Sequence, residues 1–221
     1  MSGACANTGE QALTKQFGKD THMLIHSAAP FNLESSLDLL VDAITPIEHF
    51  FLRNNHAIPT LVPAEWALTI DGHVERPFTL SYAELRELPA VSIVAFLECY
   101  GNGRKRFAEQ GQPADGLPWR NGAIGNAEWT GVPVAQLLER AGVQRGAVQV
   151  ECRAGGDHEF ARGVEVAKLL DDAILAYTMN GQDLPIAHGG PVRLVVPGWG
   201  GINWVKWIVG MNVLNCESRS P

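Results

Sequence analysis

Residues 91–98 read VSIVAFLE, apolar at nearly every position. A strand with apolar residues on both alternating faces leaves neither face for water, so this run predicts a strand covered on both sides. It constrains the fold more than any other stretch, because the rest of the chain must supply that cover. With 221 residues, 46% of them apolar, there is enough material for one well-filled core or two small ones. The run leads directly into Cys99-Tyr100-Gly101-Asn102-Gly103-Arg104-Lys105-Arg106. A thiol at a strand end, two glycines, and then three consecutive cations form an unusual sequence of residue types.

Other elements follow from pattern. MLIHSAAP, from Met23 to Pro30, reads as a short extended piece, and SSLDLLVDAI, residues 35–44, has helical spacing behind a possible serine cap. HFFLRNNHAIP begins as a strand and becomes a loop at Asn54-Asn55. EWALTIDGHVERPFTLSYAELREL predicts strand, Asp71-Gly72 turn, strand and helix. Residues 111–131 are glycine-rich and predict one long loop, of the kind that usually carries function. VPVAQLLERAGV is a helix with Gly142 as its stop, AVQVECR a strand and RGVEVAKLLDD a short helix. AILAYTMNGQDLP is a strand entering an Asn-Gly turn, and GPVRLVVPGWGG and NWVKWIVGMNVL are two further strands. Helices and strands alternate irregularly and without repeats, which predicts an α+β (mixed α/β) domain rather than a doubly wound sheet. The expected division is an N-terminal arm over 1–23, a catalytic domain over 24–215, and a tail over 216–221.

Several classes are excluded or disfavoured. The net charge of −7 argues against a nucleic-acid partner. No run approaches the ~18 apolar residues of a membrane span. The first twenty residues lack the apolar core of a signal peptide, so at face value the product is soluble and not exported. Cys5, Cys99, Cys152 and Cys216 are too widely spaced for a zinc or haem motif or a disulfide scaffold, and all except Cys99 read as small buried hydrophobes. No Gly-x-Gly-x-x-Gly runs from a strand into a helix, and no phosphate-binding P-loop is present.

The remaining chemistry gathers around Cys99. Cations and partial exposure favour a thiolate, which could act as a nucleophile or as a soft metal ligand. His56 beside Arg53, His188 beside Arg193, and Lys206 in GGINWVKW each place cation-capable groups in glycine- or asparagine-rich loops. In an acidic chain such clusters suit a bound anion, for example a phosphate. Trp119, Trp129, Trp199, Trp204 and Trp207 sit in glycine-rich segments and read as walls of a pocket.

Taken in order, SAAPFNLES, TPIEHFFLRNNHAIP, LECYGNGR, GLPWRNGAIGNAEWTGVPVAQLL and HGGPVRLVVPGWGGINWVKW resemble the molybdopterin-binding (molybdenum-cofactor) domain of the sulfite oxidase family, across about residues 24–214. The resemblance implies that Cys99 binds molybdenum through its thiolate. It implies that Arg104 and Arg53 face an oxyanion substrate and that Trp119 lines its pocket. Asn54, Asn55 and His56 fall where the family has a pterin contact, to which Arg53 also belongs. His188, Arg193, Trp204, Val205 and Lys206 fall on further pterin contacts, and Asp157 on another.

The implied reaction is molybdenum-dependent oxidation of sulfite, or a related sulfur oxyanion, to sulfate, with electrons passing to an external acceptor such as cytochrome c. Two other readings stay open: reduction of S-oxides, N-oxides or nitrate, and cofactor binding without turnover. The family's immunoglobulin-like dimerisation domain with the arginine it contributes to the sulfite pocket, and the pocket tyrosine that the family carries after the Val-Lys-Trp segment, are expected to be missing from a chain ending at Pro221; the oligomeric state is therefore open. Bacterial relatives are often periplasmic, which leaves the compartment open too.

Overall fold

The computed structural model describes residues 8–156 and 160–220, so Cys5 and Asp157 lie outside the described residues. The chain divides into two compact units, residues 1–58 with 96–127, and residues 59–95 with 128–221.

In the first unit, α1 (Thr8–Gln16) precedes an antiparallel pair, β1 (Leu24–Ala28) and β2 (Phe31–Glu34). The expected N-terminal arm thus contains a helix. It is anchored by Lys19, whose Nζ donates to the carbonyls of Phe50 at 2.8 Å and Ile47. Phe17 stacks on Phe31 with ring centroids 5.6 Å apart. Residues 35–44 do not form the expected helix; only a 3₁₀ turn over Leu37–Leu39 appears, and Leu37 and Val41 are exposed. A short helix forms in water only when its apolar face is buried, and this one has nothing to bury against. Ser36 bonds Asp38 instead of capping, and Thr45 ties the chain to Asn126, its amide 2.7 Å from the Asn126 carbonyl. The expected strand from His49 reduces to one bridge between Leu33 and Leu52. The core here is Leu33, Phe50, Phe51, Leu52 and Trp119.

The second unit holds a five-stranded sheet of β3 (Ala67–Gly72), β4 (Phe78–Ser81), β7 (Gln149–Ala154), β8 (Ala161–Glu165) and β12 (Ile208–Leu214), in the order β4-β3-β12-β7-β8. β12 runs parallel to β3 and antiparallel to β7. Asp71-Gly72 does not make a tight hairpin: Ile70 pairs with Phe78, and Gly72 pairs with Val213 of β12 instead. The helix after β4, α2 (Tyr82–Glu87), starts with a capping box in which the Ser81 amide donates to Glu84 Oε2 at 2.7 Å and the Glu84 amide to Ser81 Oγ at 3.3 Å.

A second sheet has the order β10-β9-β6-β5, with β11 also on β9; its strands are β5 (Val91–Glu98), β6 (Ile124–Pro133), β9 (Ile174–Met179), β10 (Gln182–Asp183) and β11 (Arg193–Val195). The division into units falls inside β5 and β6. VSIVAFLE is thus a strand, but an edge strand rather than one covered on both sides, with Val94 59% and Phe96 54% exposed. Local apolarity reports that a strand forms, not how many neighbours it acquires.

Residues 124–131 of the expected 111–131 loop belong to β6. Its glycines serve close packing and not turning: a Cβ at Gly125 would lie 2.5 Å from the Phe50 ring, and one at Gly131 would lie 2.0 Å from the Leu175 carbonyl oxygen. The helix α4 (Val134–Ala141) buries Val134, Leu137, Leu138 and Ala141, one face at helical spacing, and ends at Gly142 with φ 70° as expected. A last helix, α5 (Val166–Asp171), follows β8. The Asn180-Gly181 turn joins β9 to β10, both residues at positive φ. Cys152 is buried as expected, whereas Cys216 is exposed because it lies beyond the last strand.

Candidate functional site

In the first unit, Cys99 directly follows β5 and is half-buried. Its amide donates to the Ala123 carbonyl at 2.9 Å, and the Gly101 amide reaches its sulfur at 3.4 Å. Asn102 locks this turn: its amide donates to the Cys99 carbonyl at 2.8 Å. Its side chain donates to Glu98 Oε1 at 2.8 Å and accepts from the Ala123 amide at 3.1 Å. The sulfur is therefore presented from a rigid turn, as a metal ligand must be.

Gly103, at φ 82°, opens the short helix α3 (Arg104–Glu109). The Arg104 guanidinium lies in a slot between two glycines. A Cβ at Gly101 would come within 2.6 Å of Arg104 Nη1, and one at Gly116 within 2.7 Å. Arg104 Nη1 donates to the Leu117 carbonyl at 3.0 Å.

Arg53, half-buried, donates to Asn32 Oδ1 at 3.3 Å, to its neighbour's carbonyl at Asn54 and to Asn55 Oδ1. Burial pushes its guanidinium below the usual arginine range; charge on Cys99 works against this, and the like charge of Arg104 adds to it. Among the described residues, no carboxylate pairs with either guanidinium. Arg53 interacts electrostatically with both Cys99 and Arg104, and two arginines with no acid among the described residues to neutralise them leave a place for an anion.

Asn54 is buried and fixes the segment that carries Arg53. Its amide donates to Asn32 Oδ1 at 2.7 Å and its Nδ2 to the Phe31 carbonyl at 2.6 Å. Asn55 and His56 are exposed. Trp119, expected as a pocket wall, is fully enclosed at 0% exposure, edge-on to His26 at 4.7 Å and to Phe51 at 6.4 Å. Its indole Nε1 has no hydrogen-bond partner among the described residues. An enclosed donor without an acceptor is rare, and it fits a ligand that brings an oxygen.

The second unit gathers His188, Arg193, Trp204, Val205 and Lys206. Arg193 begins β11 and is 2% exposed. Its Nη1 donates to the His188 carbonyl at 2.8 Å and its Nη2 to the Trp204 carbonyl at 3.1 Å, while Nε has no partner among the described residues. Its guanidinium carbon lies 5.1 Å from the centre of the Trp129 ring and 5.7 Å from that of Trp204. Burial pushes the guanidinium down to about 9. No carboxylate among the described residues pairs with it. Lys206 Nζ donates to the Ala187 carbonyl at 3.0 Å and sits 4.5 Å over the Trp207 ring. Val205 is core, its carbonyl accepting from the Leu194 amide at 2.8 Å. Trp129 and Trp204, also expected as pocket walls, pack edge-on at 5.7 Å within this core. An enclosed, uncompensated guanidinium beside a lysine and a histidine favours an anionic group such as a phosphate.

Sequence reading missed the glycine slot around Arg104 and the buried Glu34. The only available signal for Glu34 was an acid at the end of an apolar strand, FNLE, where a buried carboxylate requires donors from elsewhere.

The first unit thus holds a soft sulfur ligand and two arginines with no acid partner among the described residues, and the second holds an enclosed cation cluster. The sequence model of the oxidoreductase molybdopterin-binding domain matches residues 55–221. Mitochondrial sulfite oxidase of Drosophila melanogaster is 35% identical over 210 residues, covering 90% of this chain and 36% of the relative. Sulfite oxidase of Gallus gallus is 37% identical over 214 residues, covering 89% of this chain and 45% of the relative. An NADH nitrate reductase of Ulva prolifera is 33% identical over 206 residues, covering 86% of this chain and 24% of the relative. The crystal structure of the sulfane dehydrogenase SoxCD from Paracoccus pantotrophus superposes with a TM-score of 0.81 at 28% identity, covering all of this chain and 57% of that one. The chain belongs to the sulfite oxidase family of molybdopterin-binding oxidoreductase domains. It spans less than half the length of these curated relatives.

Proposed function

We propose that this domain holds molybdenum–molybdopterin with Cys99 on the metal, and oxidises sulfite or a related sulfur oxyanion. The observation that carries the reading is the pair Arg53 and Arg104: Arg53 interacts with both Cys99 and Arg104, and neither guanidinium is paired with an acid among the described residues. His188, Arg193, Trp204 and Lys206 would hold the anionic and polar edge of the pterin, together with Asn55, His56 and Asp157. When bound, the metal supplies two-electron oxygen-atom transfer; binding and orientation fall to the protein.

Arg104, held in its slot, and Arg53 would attract the oxyanion and grip it through charge-assisted hydrogen bonds. The indole N–H of Trp119 would supply a further donor. The low polarity around half-buried Arg53 strengthens these contacts relative to water. Overall, sulfite and water become sulfate, two protons and two electrons, and the electrons leave to an external acceptor such as cytochrome c.

The match to a nitrate reductase supports a second reading, reduction of an oxyanion at the same arginines. Steady-state assays of molybdenum-loaded protein with sulfite plus cytochrome c, set against nitrate or a sulfoxide plus a reduced dye, separate the two. Cys99→Ser is expected to lower molybdenum content or turnover to background. Full activity in that variant would overturn the proposal, and loaded wild-type protein inert to every donor and acceptor would leave cofactor binding alone.

A further inference from the structure

Glu34 is a buried carboxylate outside the cluster described above, and everything around its two oxygens is a donor. His26 Nε2 lies 2.6 Å from Oε2, the Arg120 amide 3.0 Å from Oε2, and the Gly122 amide 2.7 Å from Oε1. Burial raises its affinity for a proton, but these three hydrogen bonds outweigh burial and hold it ionised, below the usual range. An ionised carboxylate only accepts, so His26 donates through Nε2.

The two amides that Glu34 holds belong to the loop from Leu117 to Ala123, and this loop also bonds Arg104 and Cys99. The Leu117 carbonyl receives Arg104 Nη1, and the Trp119 carbonyl receives the Lys105 amide at 3.0 Å at the start of α3. The Ala123 carbonyl receives the Cys99 amide. Glu34 thus grips the middle of a loop whose ends hold Arg104 and Cys99. His26 adds a second link, because its ring lies edge-on against Trp119 at 4.7 Å. Approach is tight: a Cβ at Gly122 would fall 1.8 Å from the Ser35 carbonyl oxygen and 3.0 Å from Glu34 Cγ, so the loop has one depth at which it fits.

We propose that Glu34 and His26 form a positioning pair that sets, through the 117–123 loop and the Trp119 ring, where the Arg104 guanidinium and the indole N–H of Trp119 meet the substrate anion. This rests on the reading that Arg104 faces an oxyanion beside Cys99. The pair touches neither metal nor substrate; it controls the depth and angle of the groups that do. Loosening it should weaken anion binding while leaving the Cys99 anchor in place, so KM should move and metal content should not.

The test uses molybdenum-loaded protein carrying Glu34→Gln or His26→Gln. The measurements are molybdenum content, hydrogen exchange of the Arg120 and Gly122 amides, the sulfite KM and kcat, and sulfate binding by calorimetry. We expect wild-type molybdenum content, faster exchange at both amides in Glu34→Gln, and about a tenfold rise in KM with a similar loss of sulfate affinity in both variants. His26→Gln, at the more accessible position, guards against a folding defect in the buried Glu34→Gln. Unchanged exchange at both amides, or unchanged sulfate affinity in His26→Gln despite faster exchange in Glu34→Gln, overturns the pair. Sulfate binding does not depend on turnover. Loss of sulfite oxidation by the wild type would sink the proposed reaction, while weaker sulfate binding in the variants would still support the pair.

Discussion

Placing a methyl group at Gly101 should displace a charge without disturbing the fold. The Cβ of Gly101→Ala would lie 2.6 Å from Arg104 Nη1, 2.8 Å from Cζ and 2.9 Å from Nη2. Something must move, and all three of these atoms belong to the guanidinium, the free end of a flexible side chain. Gly101 is not among the glycines at positive φ, so alanine accepts the backbone as it stands. At such a position the substitution stabilises by about 0.4–1 kcal/mol through the unfolded chain. Arg104 leaves its slot, losing the bond to the Leu117 carbonyl and its aim at the anion. A hydrogen bond to a charged group contributes about 1.5–3 kcal/mol, so kcat/KM for sulfite should fall roughly 10- to 150-fold.

The assay is steady-state oxidation with sulfite varied against an excess of acceptor, on protein of measured molybdenum content, alongside a thermal unfolding curve. The expected result is wild-type molybdenum, an unchanged or slightly raised Tm, and a lower kcat/KM. Gly116→Ala is the control: it meets the same Nη1 at 2.7 Å, but its φ is 109°, so alanine there is also strained. It should lose activity and stability together. A Gly101→Ala enzyme within threefold of wild type in kcat/KM, or one whose Tm falls as far as that of Gly116→Ala, would refute the slot.

Two further outcomes concern stability and reactivity. Burial lowers Lys19 from 10.5 to about 7, so between those values the unfolded chain holds the additional proton and stability rises with pH. The slope should approach about 1.4 kcal/mol per pH unit inside that window and flatten in Lys19→Met, as read from urea midpoints across it; a wild-type slope of zero would contradict the buried placement. Iodoacetamide should label Cys216, which is exposed, and spare Cys152, whose thiol burial pushes up to about 12, until the protein is unfolded, as mass spectrometry of peptides would show.

Elements that depend on neighbouring residues alone were legible in the sequence. The stop at Gly142 and the Asn180-Gly181 turn satisfy their own backbone groups within a few residues, and each forms where it was expected. Elements that depend on distant partners were not. The helical spacing at 35–44 lacks a surface to bury, and β5 receives a neighbour on one side only. Glycine misled for the same reason. In 111–131 it reads as loop, yet Gly125 and Gly131 sit in β6 because a ring and a carbonyl approach them from remote parts of the chain. The tryptophans in glycine-rich segments were read as pocket walls, but Trp129 and Trp204 pack in the core, and Trp119 is enclosed with its indole N–H unsatisfied among the described residues.

By itself the sequence determined the kind of chemistry: a thiol at a strand end, glycines that admit close approach, and cations in a chain with an excess of acid. Those are properties of residue type and short spacing, and folding does not alter them. Only the tertiary structure decided which cations remain uncompensated. Acids outnumber bases in this chain, 24 to 17, yet none of the described acids pairs with Arg53, Arg104 or Arg193, while Glu34 is committed to His26 and two amides. Charge compensation acts over a few ångströms between residues far apart in the chain, so it exists only once the fold has chosen the neighbours.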